Sequence, residues 1–150
     1  MFYSSIGITL GDLVSGLLSQ WWKSRKKPIF LFVGCGFALI LWLHSGVVTS
    51  AHTYYWVLGG LGFFVGFWVC GLAIASEQFG TNLRSTVTTS VPNLVRATAI
   101  PINWAFIGWK ADLGTANTAL LIAIIGFGVS ILGLALLRET FGRDLEFVER

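Results

Sequence analysis

Two charged residues, Asp12 and Arg96, lie inside long apolar stretches, and they offer the clearest chemistry in this sequence. No serine or cysteine has a base at catalytic spacing, no two carboxylates are paired, and the HExxH pattern is absent. Cys35 and Cys70 also fall in apolar stretches, without His, Asp or a second Cys at ligand spacing, so we interpret them as small buried hydrophobic residues. We therefore expect no enzyme activity and neither a metal ion nor another cofactor.

The composition is that of a membrane protein. Apolar residues make up 55% of the 150 residues and charged residues 11%, with a mean hydropathy of +0.75. A soluble domain carries about a quarter charged residues. The net charge of +3 comes from clusters between the apolar stretches. We interpret it as the positive-inside signal of a protein surrounded by lipid, and we expect no nucleic acid partner.

Five apolar stretches predict five transmembrane helices in a single all-α domain. A helix needs about 20 residues to cross the hydrocarbon core, and helices satisfy their backbone groups within the span. The predicted spans are approximately residues 2–20, 29–48, 54–76, 86–109 and 115–137, followed by a cytoplasmic tail at 138–150.

Basic residues give these spans an orientation. The two tryptophans before Lys23, Arg25, Lys26 and Lys27 are typical of a helix that leaves the membrane on its cytoplasmic side. With alternating sides, eight Lys and Arg residues lie inside, Lys110 lies outside and one Arg lies within a span. The asymmetry predicts a multi-pass protein of the cell (inner) membrane, with the N-terminus outside and the C-terminus in the cytoplasm.

Small residues predict where the helices approach closely. Gly7, Gly11, Ser15 and Ser19 recur at every fourth position, which gives the first helix a narrow groove for a neighbouring backbone. Gly62 and Gly66 repeat this pattern in the third span, and Gly126, Gly128 and Gly133 repeat it more loosely in the fifth. We expect the same kind of close contact at both places.

Asp12 and Arg96 are predicted to lie at similar depths. Counted from the inside ends of their spans, they lie roughly 12 Å and 15 Å into the membrane at 1.5 Å per residue. Charges at such depth usually face protein or water. We therefore expect Asp12 to pair with Arg96, or Arg96 to pair with a group outside this chain. The alternative is that Arg96 contacts an anionic substrate.

The fourth span has the features of a helix that lines a cavity. Pro92 and Pro101 favour kinks, and polar residues lie close to both. In the third span, three aromatic residues share a face that would suit a sugar or a nucleobase, although lipid-facing aromatics are the simpler explanation. The candidate cavity-lining residues are Arg96, Asn93, Asn103, Phe64, Phe67 and Trp68.

Three segments resemble motifs of the major facilitator superfamily of transporters. Residues 16–27, GLLSQWWKSRKK, resemble its loop motif of Gly, an acid and a basic cluster, with Gln20 in place of the acid. Residues 77–84, EQFGTNLR, resemble its Glu-x-Phe-Pro-Thr-x-x-Arg segment, with Gly80 in place of proline. Residues 138–146, RETFGRDLE, resemble the Pro-Glu-Thr-x-Gly tail of its sugar porters, with Arg138 in place of proline.

By this resemblance, the five spans correspond to helices eight to twelve of such a transporter. The resemblance implies charge pairs at the inside helix ends that break and reform as two halves of the protein rock. The charges with a structural or gating role are Asp12, Arg96, Glu77, Arg84, Lys23, Arg25 and Glu139.

The resemblance also implies a function. The chain would be part of a secondary active transporter that moves a small organic solute, sugar-like or another metabolite, by alternating access. Coupling to protons or sodium stays open. The missing N-terminal half would be its partner, and we expect that this chain does not transport alone. A small oligomeric channel or an accessory membrane subunit is the alternative.

Overall fold

The chain is described here by a computed structural model, in which residues 2–46 and 50–142 are placed. Regular structure in these two ranges is entirely helical, as the all-α expectation required. The helices are α1 (Phe2–Trp21), α2 (Lys26–His44), α3 (Ala51–Val65), α4 (Trp68–Glu77), α5 (Thr81–Ala97), α6 (Ala99–Leu113) and α7 (Thr115–Leu136).

Three helical segments of the described residues are long and apolar enough to cross a membrane. They are Lys26–His44, Ala51–Glu77 and Thr115–Leu136, and they match the second, third and fifth predicted spans. Residues 47 and 48 of the second prediction lie outside the described residues. The first predicted span corresponds to α1, which has 20 residues. Its glycines, serines and Asp12 lower its mean hydropathy. These segments give the protein its membrane-helix character.

The third predicted span is interrupted, which corrects the expectation of one helix. α3 ends at Val65 and α4 begins at Trp68. The Gly66 N–H bonds back to the Phe63 carbonyl at 3.1 Å, a tighter turn than the α-helix makes. The Ser15 hydroxyl of α1 donates to the Gly66 carbonyl at 2.6 Å. A side chain from another helix therefore replaces a bond that the continuous helix would have made.

The fourth predicted span is formed by two helices that extend beyond its predicted ends, and they are not among the three segments of the described residues that are long and apolar enough to cross a membrane. α5 begins at Thr81 and α6 ends at Leu113, with Thr98 between them in a helical conformation. Pro101 has no N–H to offer the carbonyl four residues earlier, so the hydrogen-bond ladder weakens just before it. Pro92 lies inside α5, which continues past it.

The small-residue groove of α1 is confirmed. Its four members are the buried residues of this helix, and they pack on α3. A Cβ atom added at Gly11 would overlap the Phe63 carbonyl oxygen, and one at Gly62 would lie 2.9 Å from the Ser4 Cα. Two glycine-lined backbones thus touch, which is how membrane helices gain close van der Waals contact.

The glycines of α7 do not pack in this way, which corrects the third expected contact. A Cβ at Gly126, Gly128 or Gly133 would meet nothing within 4 Å among the described residues. α7 instead contacts α2 and α6 through larger side chains. Its glycines face outward.

An apolar core joins α2, α4 and α7. Ile29, Val33, Cys70, Ile74 and Leu134 are buried together, with two phenylalanines packed against them. Cys70 is therefore a buried hydrophobic residue, as predicted, while Cys35 is half-buried. α5 and α6 contribute no buried residue to the described structure. α5 contacts α4, and α6 contacts α7.

Candidate functional site

Polar side chains from three distant segments meet at one end of the helices. The segments are the turn between α1 and α2, the end of α4, and the stretch that follows α7. We call this group the polar cluster. It consists of Ser24, Arg25, Glu77, Glu139 and Thr140.

A tight turn positions the first segment. Lys23 has a positive φ of 48°, which reverses the chain within a few residues. The Trp22 N–H still bonds to the Leu18 carbonyl at 2.9 Å, and the Ser24 N–H bonds to the Ser19 carbonyl at 3.2 Å. Ser24 is buried as a result, and Arg25 points across the bundle toward α4.

Arg25 forms the central ion pair. Its Nη2 donates to Glu77 Oε1 at 2.8 Å, and its Nε lies 3.2 Å from the same oxygen. Nη1 donates to the Ser19 hydroxyl at 3.1 Å, and the guanidinium lies 5.3 Å from the centre of the Phe141 ring. The guanidinium fork, a neighbouring hydroxyl and an aromatic face thus all hold one side chain in place.

Glu77 joins the tail to the same point. Its Oε2 accepts a hydrogen bond from the Thr140 hydroxyl at 2.6 Å. Thr140 is only 1% exposed, although it lies beyond the end of α7. The predicted tail therefore packs against the helices at least as far as Phe141, which is half-buried. Residues 143–150, including the last part of the third motif, lie outside the described residues.

Glu139 caps the beginning of α2. It accepts hydrogen bonds from the Ser24 hydroxyl and from the backbone N–H groups of Arg25, at 2.8 Å, and of Lys26, at 3.4 Å. Burial raises the pKa of the Glu139 carboxyl, but these bonds and one from the Phe141 N–H outweigh it, so the pKa lies below its usual value. A carboxylate at a helix N-terminus is also favoured by the helix dipole.

Lys26 completes the connection between α2 and α7. Its Nζ donates to the carbonyl of Leu137 at 2.7 Å and to that of Ala135 at 3.3 Å. An ammonium group at the C-terminal end of α7 satisfies carbonyls that have no partner within the helix. The positively charged Lys26 side chain at the start of α2 therefore binds the carbonyl oxygens at the end of α7.

The predicted gating charges divide into two sets. Arg25, Glu77 and Glu139 belong to the polar cluster. Arg84 lies next to it, with its Nε donating to the Ser76 carbonyl at 3.2 Å, while Lys23 is exposed.

The other set consists of Asp12 and Arg96. The two side chains do not form an ion pair with each other, which corrects the expected pairing within the chain. Asp12 is half-buried on α1, and its Oδ1 is buried without a hydrogen-bond partner in the described structure. Arg96 is exposed on α5, whereas α1 packs on α2, α3 and α4. Similar depth along two helices does not make those helices neighbours.

The predicted cavity residues are also separated. Phe64 packs edge-on against Phe32, and Phe67 packs against the apolar core; both side chains are half-buried. Trp68 is half-buried at the start of α4.

The polar members of that prediction lie elsewhere. Asn93 and Arg96 are exposed on α5, and the Asn93 amide donates to the Thr89 carbonyl of its own helix at 3.1 Å. Asn103 lies on α6 in an open groove of about 800 Å³ between α6 and α7. The groove is otherwise mostly apolar. The structure therefore does not assemble the six candidates into one cavity.

Sequence reasoning missed Ser15, Ser24, Thr140 and Phe141 as contact residues of this region. The spacing of Ser15 predicted only close packing, but its hydroxyl also bonds the Gly66 carbonyl. Ser24 lies two residues before the start of α2, and its hydroxyl accepts a hydrogen bond from the Lys27 N–H at 3.3 Å. Thr140 and Phe141 stand in the third motif without any charge to single them out.

No protein-family model matches this chain, and no solved structure matches it significantly. The fold itself defines an all-helical protein with membrane-spanning character.

Proposed function

We propose that this chain is part of a secondary active transporter of the major facilitator kind, which moves a small organic solute by alternating access. The observation that carries the proposal is the polar cluster. The three segments whose sequences resemble the family's motifs are far apart in the chain, yet Arg25, Glu77 and Glu139 meet at one end of the helices. Alternation of the helices alone places these three segments at one end, and the hydrogen bonds between their side chains are the support for the proposal beyond that topology.

The polar cluster has the properties of a gate, a contact between helix ends that can break and form again. It consists of a few strong charged hydrogen bonds at helix ends, beside the apolar core that α2, α4 and α7 share. The Arg25 and Glu77 side chains are 23% and 12% exposed, so water can replace their partners when the helix ends separate. In alternating access, such contacts hold one side closed and are exchanged when two helical bundles rock around a central site.

α5 supports a water-facing side for this bundle. Its sequence, TNLRSTVTTSVPNLVRA, is rich in hydroxyl and amide groups, and none of its residues is buried in the described structure. A helix of this composition is not stable against lipid tails, because polar groups in hydrocarbon are costly. We infer that α5 faces an aqueous path or a second bundle, which we assign to the N-terminal half of the transporter.

The orientation follows from the cations. Four basic residues lie at the polar-cluster end, Lys23 and Arg25 between α1 and α2 and Lys26 and Lys27 at the start of α2, and Lys110 lies at the opposite end near the start of α7. We therefore assign the polar cluster to the cytoplasmic side of the cell membrane. A membrane-impermeant thiol reagent applied to intact cells should label Lys110→Cys and should not label Lys27→Cys. Equal labelling of both variants contradicts this orientation.

Transport is tested on the assembly that contains this chain. Tagged chain is purified from its native membranes together with whatever remains bound, and is placed in liposomes with a panel of radiolabelled sugars and organic acids. We expect saturable uptake of one solute, reduced about tenfold or more by Glu77→Gln, and no uptake by the chain alone. Non-saturating flux at channel rates favours the small oligomeric channel instead, and saturable uptake by the isolated chain contradicts the assignment to one half.

A further inference from the structure

Three basic residues lie around the polar cluster without taking part in it. Lys23, Lys27 and Arg138 are exposed, and none of their side chains forms an ion pair in the part of the chain that the structure describes. Both carboxylates of the polar cluster are already engaged, one with Arg25 and the other with the backbone at the start of α2. We call these three cations the basic rim.

The hydroxyl of Ser24 brings the backbones of the three rim residues close together. Ser24 follows Lys23 directly, and its hydroxyl accepts a hydrogen bond from the Lys27 N–H at 3.3 Å. The same hydroxyl donates to the carboxylate of Glu139, which follows Arg138. Each rim residue is therefore a contact of one buried serine, or a chain neighbour of it or of its partner, and the rim occupies one small area at the end of the helices.

The charges in this area do not balance. The polar cluster, the basic rim and Lys26 together contain five basic and two acidic residues, which leaves an excess of three positive charges. Lys27 lies in the first turn of α2, where the helix dipole disfavours a cation, and that turn contains no acidic residue. A negatively charged group at the rim therefore offsets both the repulsion among the cations and the effect of the dipole.

Exposed apolar side chains continue from the rim along the helices. Lys27, Phe30 and Leu31 are all exposed, and their spacing of three and four residues puts them on one face of α2. On α7, Leu136 is 77% exposed and lies two positions before the arginine of the rim. Trp21 ends α1 with 79% of its surface exposed, and tryptophan favours the level of lipid headgroups. The surface thus has cations at its end and an apolar side below them.

We propose that the basic rim binds the headgroup of an anionic phospholipid, with the phosphate oxygens at the three cations and an acyl chain beside Phe30 and Leu31. A lipid fits this surface better than a soluble phosphate does, because the cations lie at the end of apolar side chains that face hydrocarbon. The proposal goes beyond the transporter assignment and does not depend on transport. Of the proposed function it uses only the cytoplasmic orientation of the polar cluster, which assigns the lipid to the cytoplasmic leaflet.

Native mass spectrometry of the full chain measures this binding. The chain is released from nanodiscs of phosphatidylglycerol and phosphatidylcholine in equal parts, with the same acyl chains, so that the two lipids differ only in the headgroup. The native chain should retain phosphatidylglycerol at least about tenfold more than phosphatidylcholine. Lys23→Gln, Lys27→Gln and Arg138→Gln should each weaken this retention about fivefold, because each cation near a membrane surface adds a similar attraction. The triple variant should show no preference.

Lys110→Gln is the matched control. It removes an exposed cation at the opposite end of the helices and should leave the preference unchanged, as should Lys27→Arg, which keeps the charge. Because the rim side chains form no ion pair in the described structure, the triple variant should unfold at the native temperature in neutral detergent. Added phosphatidylglycerol should raise the unfolding temperature of the native chain but not that of the triple variant, since a ligand of the folded state stabilises it.

Equal retention of the two lipids by the native chain would overturn the proposal, and so would an unchanged preference in the triple variant. Displacement of phosphatidylglycerol by inorganic phosphate would assign the rim to a soluble anion instead. Neutralising Asp144, Glu146 and Glu149 together in the full chain should not change the preference. A gain of about tenfold in that variant would mean that these acids occupy the rim in place of lipid. None of these measurements involves uptake, so failure of the transporter assignment leaves them unaffected.

Discussion

The guanidinium of Arg25 lies 2.8 Å from the carboxylate of Glu77, and this contact joins two residues that are 52 positions apart in the chain. Glu77 also accepts the Thr140 hydroxyl, from a residue 63 positions further on. The beginning of α2, the end of α4 and the segment after α7 are therefore all in contact with one carboxylate. Loss of its charge should loosen all three together.

The first prediction concerns this carboxylate. Glu77→Gln should lower the free energy of unfolding by about 2 kcal/mol, because charged hydrogen bonds contribute roughly 1.5–3 kcal/mol and Arg25 is left partly buried without an anion. Arg25→Gln should have a similar effect. The double variant should cost less than the sum of the two, since the second change removes a charge that has already lost its partner. Denaturation of the chain in detergent measures all three.

Lys23→Gln is the matched control for this cycle. Lys23 is a cation in the same turn, but it is exposed, and its loss should change stability by less than about 0.5 kcal/mol. Strict additivity of Arg25→Gln and Glu77→Gln would show that the two side chains do not interact in solution.

The second prediction uses two glycines on opposite sides of α1. Gly11→Ala should destabilise the protein by about 1–3 kcal/mol, because the added methyl group must push the α3 backbone away from the helix. Gly16→Ala adds the same methyl group where nothing lies within 4 Å. It should be neutral or stabilise the helix by up to about 1 kcal/mol.

Thermal unfolding of the two alanine variants in the same lipid separates packing from helix propensity, because both changes have the same propensity. Equal stabilisation by Gly11→Ala and Gly16→Ala would mean that α1 and α3 do not touch as described. Gly11→Ala should also reduce protection of α3 amides from hydrogen exchange, which Gly16→Ala should leave unchanged.

The spacing of small residues predicted this helix contact because a period of four places residues on one helix face. The position of charged residues at the helix ends was likewise predicted, because an apolar stretch ends where charged residues begin. Asp12 and Arg96 show what such patterns omit. Depth follows from counting residues along each helix, but whether α1 lies beside α5 depends on packing among α2, α3 and α4. No local pattern contains that information.

The break at Gly66 was beyond sequence reasoning for the same reason. The third span reads as a continuous apolar stretch, and glycine occurs in membrane helices without interrupting them. The interruption becomes stable because Ser15, 51 positions earlier, supplies the hydroxyl that the Gly66 carbonyl needs. The dispersal of the six predicted cavity residues has a related cause: Phe67 packs against the apolar core and Phe64 against Phe32, whereas Asn93, Arg96 and Asn103 lie on α5 and α6.

The third prediction follows from that hydroxyl. Ser15→Ala should cost about 1–3 kcal/mol, because it leaves the Gly66 carbonyl buried without a partner. Ser130→Ala is the control: its hydroxyl bonds to the Gly126 carbonyl within α7 and is exposed. We expect an effect below about 0.5 kcal/mol there. If both variants unfold at the same temperature, the Ser15 bond contributes nothing to the position of the break.

The fourth prediction concerns acid. The hydrogen bonds from Ser24 and from the α2 backbone hold the pKa of the Glu139 carboxyl below its usual value of 4.5, although burial opposes them. A group whose pKa is lower in the folded protein stabilises that state when it is ionised. Its contribution is present in full above the pKa of the unfolded chain, and it is lost as the pH falls through the folded pKa.

The native chain should therefore be more stable than Glu139→Gln at neutral pH by an amount that stays constant down to about pH 5. Below about pH 4.5 the difference should shrink, because protonated Glu139 no longer attracts the start of α2. Unfolding midpoints between pH 7 and pH 3 measure this difference, from which contributions common to both proteins cancel. Asp112→Asn, which removes an exposed carboxylate on α6, should follow the native curve throughout. A native advantage over Glu139→Gln that persists unchanged to pH 3 would mean that the carboxylate charge does not hold α2 and the α7 tail together.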